Sequence, residues 1–219
     1  MPKNILVFLG PPGVGKGTQA VRLASELKLP HVSTGDLFRD HMKRGTPLGV
    51  KAKEFVNAGK LVPDELVVDL TLDRINAADC NVGCILDGFP RTIGQENLLA
   101  QALKKRGDTV RAALYFRAPK EIIVERISGR RTCKACGAVS HAKFAPTKKA
   151  GVCDVCGKET YQRPDDAADK VVKRLEEYDT NTGPLIKHYE KAKLLATIDA
   201  TKGVDEVFKA MMTAVKGLK

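Results

Sequence analysis

Apolar residues in this chain gather in short continuous runs, separated by stretches in which they return at helical spacing. "NILVFLG" is such a run, closed by glycine, and "KGTQAVRLASEL" after it sets Ala20, Leu23, Ala24 and Leu27 three and four residues apart. The order reads as strand, loop, helix. Similar runs recur at "GCILDG", "RAALYF" and "LLATID", with helical patterns in "TIGQENLLAQALKKR", "KEIIVERISGRR" and "VDEVFKAMMTAVKGL". Strands that alternate with helices, each strand apolar on both faces, predict a parallel sheet covered on two sides.

Two stretches break this rhythm. Between His31 and "GCILDG" the pattern turns wholly helical, in "STGDLFRDHMKRG", "PLGVKAKEFVNAG" and "PDELVVDLTLDRI", punctuated by Gly45, Pro47, Gly59 and Pro63. The first two pieces read as an insertion. The second break, about Gly129 to Asp166, is rich in Gly, Lys and turn residues and poor in apolar periodicity. A segment of that size buries too little apolar surface to fold alone and needs a staple. Beyond it, "DDAADKVVKRLEEY" and "GPLIKHYEKAK" read as helices broken near Gly183-Pro184.

The staple is visible in the cysteines. Cys133/Cys136 and Cys153/Cys156 form two Cys-x-x-Cys pairs, whose four thiolates fill a tetrahedral zinc shell and leave no place for a substrate water. The expectation is a structural metal that folds the segment; iron fits the same thiolates. Cys80 and Cys84 remain over and are read as having no chemical role. Cysteines in metal spacing indicate a reducing compartment. The apolar run Ile5 to Leu9 enters a Pro/Gly loop instead of a cleavage site, and no segment approaches the roughly 20 apolar residues of a membrane span. The expectation is a soluble, unexported, cytoplasmic chain of 219 residues making one domain.

Its formal net charge of +11 calls for anionic partners, nucleotide or nucleic acid. Lys104, Lys105, Lys148, Lys149 and Lys219 are read as solvated surface. Gly10, Gly15 and Lys16 match G-x-x-x-x-G-K between a strand and a helix, the context in which backbone N–H groups and a lysine cradle phosphates. Gly17 stands where such loops usually have Ser or Thr, with Thr18 next. Asp87 ends the "GCILDG" run, where a Mg²⁺-organising carboxylate is expected. Arg39, Arg91, Arg126, Arg130, Arg131, Arg163 and Arg174 border the loops and the two interruptions, and guanidinium forks suit phosphate oxygens. No His/Asp pair or nucleophilic cysteine stands out. A phosphate acceptor explains that gap, because its second pKa near ~6 leaves it nucleophilic without a base.

Taken in order, "GPPGVGKGTQ", "STGDLFR", "AGKLVPDELV", "LDGFPRT", "ERISGRR", the paired cysteines, "RPDD" and "VVKRLEEY" resemble an adenylate kinase of the long, zinc-lid type over essentially the whole chain. The resemblance implies an α/β P-loop nucleoside monophosphate kinase fold, with a five-stranded parallel sheet flanked by helices. It divides the chain into a core (1–32, 63–128 and 167–219), an AMP-binding insertion (33–62) and a zinc-binding lid (129–166). It implies ATP and AMP converting reversibly to two ADP, with Mg²⁺ accompanying ATP, structural Zn²⁺ in the lid and a monomer that engages neither nucleic acid nor membrane.

By the same resemblance, Gly13, Val14, Gly15, Lys16, Gly17 and Thr18 hold ATP phosphates, with Arg126 against adenine, Arg130 on phosphate, and backbone near Lys202. Thr34, Arg39, Lys60, Leu61, Val62, Gly88, Phe89, Pro90, Arg91 and Gln95 face AMP. Arg163 and Arg174 bridge the transferring phosphates, and Asp87, Asp165 and Asp166 organise Mg²⁺ waters or hold arginines. Val139-Ser140 stands where the family commonly has Val-Tyr at its nucleotide contact. A kinase for UMP or CMP shares the scaffold. A zinc-ribbon ATPase that binds nucleic acid would interleave aromatics for stacking, yet the lid has only Phe144 and Tyr161, and the chain no Trp.

Overall fold

The computed structural model describes residues 3–58 and 60–217, so Gly59 and Lys219 lie outside the described residues. Its principal sheet is built from β1 (Asn4–Leu9), β2 (His31–Ser33), β3 (Gly83–Asp87), β4 (Thr109–Arg117) and β8 (Leu195–Asp199). The order is β2-β3-β1-β4-β8, with every pairing parallel. The two-sided covering follows from the period-two geometry of a strand. Ile5, Val7 and Leu9 enter one buried cluster with Leu86, Phe89, Leu99, Leu103, Leu185 and Tyr189, whereas Leu6 and Phe8 enter another with Leu23, Phe116, Met211 and Val215.

Helices complete both clusters. Helix α1 (Lys16–Leu27) and α9 (Val204–Lys216) line the second, and α5 (Ile93–Lys104) and α8 (Gly183–Lys191) line the first. The insertion holds α2 (Thr34–Arg44) and α3 (Pro47–Ala58), which pack on each other; α4 (Asp64–Ile75) returns the chain to the core. Gly49 permits the close packing within the insertion, because a Cβ there would be driven into the backbone of His41 and Met42.

Three expectations are corrected. The segment after His31 is not wholly helical: His31–Ser33 forms an edge strand, its register fixed by Ser33 opposite Asp87. Three residues are too few for a periodicity to show. Strand β8 is not apolar on both faces, since at the opposite edge only Ile198 of its residues is buried. The break near Gly183-Pro184 is a turn of π-helix, Tyr178–Thr182, that joins α7 (Ala168–Glu177) to α8 without interrupting the helical path.

The cysteine segment has its own small antiparallel sheet of β5 (Arg130–Cys133), β6 (Val139–His141) and β7 (Thr160–Tyr161), in the order β6-β5-β7. Its root rests on α6 (Lys120–Ser128) and α7, which share a cluster of Ile123, Ile127, Val171 and Leu175. No described helix is long and apolar enough to cross a membrane.

Candidate functional site

The C-terminal ends of β1 and β3 meet the N-terminus of α1, and the loop between β1 and α1 forms the floor of the site. Gly10, Gly13 and Gly15 adopt φ of +140°, +80° and +105°, values that side chains resist. Gly10 is also sterically required, because a Cβ would stand 2.5 Å from the Phe116 carbonyl. Lys16 keeps some exposed surface, but its ammonium group is enclosed by the loop and donates to the carbonyls of Gly10 (2.6 Å) and Pro11 (2.9 Å). Burial lowers its pKa to about 8; Asp87 opposes that shift, while Arg91, Arg174 and Arg130 add to it. Thr18 is exposed, and Gly17 lies near the carboxylate of Asp87: a Cβ there would be 3.5 Å from Asp87 Oδ2.

Asp87 brings a partner that sequence reasoning missed. His31 Nε2 lies 3.2 Å from Asp87 Oδ2, so a His/Asp pair does exist at the end of the sheet. The two residues are 56 positions apart, and only the pairing of β2 with β3 brings them together. Burial works to raise the Asp87 pKa, but the His31 hydrogen bond and the charges of Lys16 and Arg91 outweigh it and hold the carboxyl below its usual range.

The loop after β3 contains a cis Phe89–Pro90 bond, and its other groups are tied by hydrogen bonds. Arg91 Nε donates to the Gly88 carbonyl (2.8 Å), which also accepts from Thr34 Oγ1 (2.9 Å), and Thr182 Oγ1 donates to the Arg91 carbonyl (2.9 Å). Helix α2 begins beside it, capped by Ser33, whose hydroxyl accepts from Asp36 N–H, and Arg39 pairs with Asp36 at 2.6 Å. Lys60 is exposed, Leu61 half-buried, Val62 buried, and Gln95 almost wholly enclosed.

Five arginines converge above this floor. Asp166, whose side chain is fully buried, takes both fork nitrogens of Arg130 and, at 3.0 Å, Nη1 of Arg174. Arg174 also reaches Asp165 at 2.9 Å. Arg163 donates to Thr132 Oγ1 at 2.8 Å. Burial, then the charge of Arg174, lowers the Arg91 pKa to about 10; burial, then Arg39 and Arg130, does the same for Arg163. The guanidinium groups of Arg39, Arg91, Arg130, Arg163 and Arg174 thus repel one another across one space, with too few carboxylates to compensate. An arrangement of that kind is complementary to a polyanion.

Arg126 and Arg131 behave differently. Arg126 Nη1 bridges the carbonyls of Val14 (3.2 Å) and Ala200 (2.8 Å), drawing the turn that carries exposed Lys202 towards the phosphate loop. Arg131 bonds the carbonyls of Ser128 and Arg130 and does not join the cluster. Exposed Val139 lies on β6 beside half-buried Ser140, and Ser140 lines a small groove of about 230 Å³ with Pro146, Thr147 and Gly151, on the cysteine segment itself.

The four Sγ atoms of Cys133, Cys136, Cys153 and Cys156 lie within 4.8 Å of one another, with Cys133–Cys156 at 3.4 Å and Cys136–Cys153 at 3.7 Å. Tetrahedral zinc–thiolate bonds of ~2.3 Å would place sulfurs about 3.8 Å apart, so the donor set fits zinc. Both pairs are built alike. Gly137 and Gly157, at φ of +74° and +69°, follow the second cysteine and return an N–H to the first cysteine's carbonyl at 3.1 and 2.9 Å. Cys80 and Cys84 are buried elsewhere, and burial pushes the Cys84 thiol up to about 12, which leaves it unreactive.

Comparison with known proteins agrees with this geometry. The adenylate kinase family model matches residues 8–194. The adenylate kinase of Carboxydothermus hydrogenoformans is 48% identical over 211 residues, spanning 96% of this chain and 99% of that protein. That of Agathobacter rectalis is 50% identical over 207 residues, 94% and 97% of the two chains, and that of Clostridium novyi 46% over 214 residues, 98% and 99%. Similarity this high over nearly the whole chain places it in the adenylate kinase family.

Proposed function

We propose that the protein catalyses reversible, Mg²⁺-dependent transfer of the terminal phosphoryl group of ATP to AMP, giving two ADP, and so balances adenine nucleotides. The observation that carries this reading is the meeting of five arginines and Lys16 over a phosphate loop, with fewer carboxylates than cations among them. Two polyanions brought together need such a field more than they need a base. The AMP phosphate is dianionic above pH ~6 and attacks unaided, so catalysis reduces to alignment and charge neutralisation.

In this reading Gly13–Thr18 hold the ATP phosphates, and Lys16 exchanges its loop carbonyls for phosphate oxygens. Arg126, the turn near Lys202 and Val139-Ser140 flank the ATP base. Thr34, Arg39, residues 60–62, Gly88–Arg91 and Gln95 take AMP, and Arg130, Arg163 and Arg174 surround the migrating group. Asp165 and Asp166 aim Arg130 and Arg174, and Asp87, with His31 as its partner, would hold Mg²⁺. Mg²⁺ would supply neutralisation of phosphate charge.

Residues 33–62 and 129–166 act as two flaps on the core formed by 1–32, 63–128 and 167–219, the second made rigid by structural zinc. Closure excludes the water that would otherwise accept the phosphoryl group. Proximity of Arg163 to Arg39 and Asp36 supports the two flaps meeting across the transfer site. We infer a cytoplasmic monomer with no nucleic-acid or membrane partner. The test is to give purified protein ADP and Mg²⁺ alone. ATP and AMP should appear in equal amounts, and their absence with folded protein would end the proposal.

A further inference from the structure

Asp64 has no part in the assignments above, yet it fixes the side chain proposed to read the acceptor's base. It opens α4, two residues after Val62, and reaches across to the start of α5. Its Oδ1 accepts from Gln95 Nε2 at 2.8 Å and its Oδ2 from Thr92 Oγ1 at 2.7 Å. Glycine at position 94 makes room for this reach, because a Cβ there would stand 3.0 Å from Asp64 Oδ2. At the other end of the same amide, Gln95 Oε1 accepts the backbone N–H of Arg91 at 2.7 Å.

These two contacts admit one orientation of the amide. A half-turn would set Oε1 against a carboxylate, which when ionised can only accept, and Nε2 against a backbone donor. Gln95 is 1% exposed, so a donor or acceptor left unpaired by the wrong orientation costs the desolvation of that group. What remains for a ligand is one N–H on Nε2 and one lone pair on Oε1, in a fixed order. Adenine offers an acceptor at N1 beside a donor at its 6-amino group and matches that order. A 6-oxo purine offers a donor at N1 beside an acceptor at O6 and opposes it at both atoms.

We propose that Asp64 is a specificity-determining positioning residue, which locks the Gln95 amide so that the site takes 6-aminopurine monophosphates and rejects 6-oxopurine monophosphates. The inference rests on the reading that Gln95 faces the base of AMP. Cytosine presents the same order as adenine, so this network separates amino from oxo bases and leaves ring size to other contacts. A bidentate amide–base pair discriminates by about 1–3 kcal/mol, some five- to 150-fold.

The experiment compares AMP with inosine monophosphate as acceptors at saturating ATP. In Asp64→Asn the new amide can face Gln95 with either its oxygen or its nitrogen, so the half-turn is opposed by the Arg91 N–H alone and the lock is weakened. The AMP-to-inosine-monophosphate ratio of kcat/KM should fall at least ~fivefold, with KM for ATP unchanged. Asp64→Glu, which keeps an acceptor-only group, should recover most of the ratio. If the Asn variant does not fold, Asp64→Ala is expected to show the same loss. A folded variant that loses activity equally towards both acceptors, keeping the wild-type ratio, would reduce Asp64 to a structural residue and overturn the inference. Failure of the wild type to phosphorylate AMP at all would remove the underlying reading, and is distinguishable from that result.

Discussion

Lys16 offers a quantitative test of how the phosphate site is built. Burial depresses its pKa from 10.5 to about 8, a shift equivalent to roughly 3 kcal/mol at ~1.36 kcal/mol per unit. Between those two values the unfolded chain binds more protons than the folded one, so the Lys16 contribution to stability must rise with pH. At pH 7 the group is protonated in both states and the full cost of enclosing the ammonium is present. By pH ~9.5 about 2 kcal/mol of that cost is relieved.

The perturbation is Lys16→Met, which removes the titrating group and leaves every other lysine in place. Measured without nucleotide, the stability of the wild type relative to this variant should climb by about 2 kcal/mol from pH 7 to ~9.5. For a chain of this length that amounts to a change of about 4–8 °C in the difference between melting temperatures. Phosphate reverses the effect, since a polyanion beside Nζ favours the charged form. ATP binding to the wild type at pH 8 should therefore take up about half a proton, read by calorimetry in buffers of different ionisation enthalpy. A stability difference that stays flat with pH would refute the enclosure argument, and no proton uptake would refute the placement of Lys16 against phosphate.

The remaining predictions concern other parts of the molecule. Asp166→Ala leaves Arg130 and Arg174, 17% and 19% exposed, without their shared carboxylate; stability should fall by about 3 kcal/mol and kcat by at least ~100-fold, checked by calorimetry and a coupled ADP assay. Glu96, enclosed against Tyr189, has its pKa raised to about 7 by burial, the Tyr189 hydrogen bond opposing the shift. Its folded form prefers the proton, so stability is lost as pH rises from the unfolded value of ~4.5 through 7, and Glu96→Gln should stabilise the protein by about 2 kcal/mol at pH 8 in urea titrations. Cys153→Ser should lower bound zinc and abolish hydrogen-exchange protection in β5, β6 and β7 while β1, β3 and β4 keep theirs; retained metal and protection would count against the staple.

Much of the site was legible because its parts are local in sequence. The phosphate loop declares itself through three glycines and a lysine between an apolar run and a helical pattern, and both cysteine pairs carry their turn glycines with them. Arginine roles are less legible. Arg130 and Arg131 are adjacent and chemically identical, yet the buried Asp166 captures one while the other turns to main-chain carbonyls. That choice depends on which face of β5 each occupies. His31 carried no signal of its own, since a three-residue edge strand shows no period and its partner is far along the chain. Asp64 carries no local signal either, since its partners Thr92 and Gln95 lie 28 and 31 residues further on.

The sequence by itself therefore determined the longer helices and central strands, the doubly covered parallel sheet, the phosphate loop and the thiolate set, because each follows from spacing over a few residues and from side-chain chemistry that does not depend on context. Tertiary structure alone decided the strand order, the pairing of His31 with Asp87, the sharing of Asp166 between two arginines and the orientation of the Gln95 amide. Those outcomes rest on burial and on charges brought together from distant segments. A desolvated polar group takes whichever partner the packed fold supplies, and that partner is not written beside it in the chain.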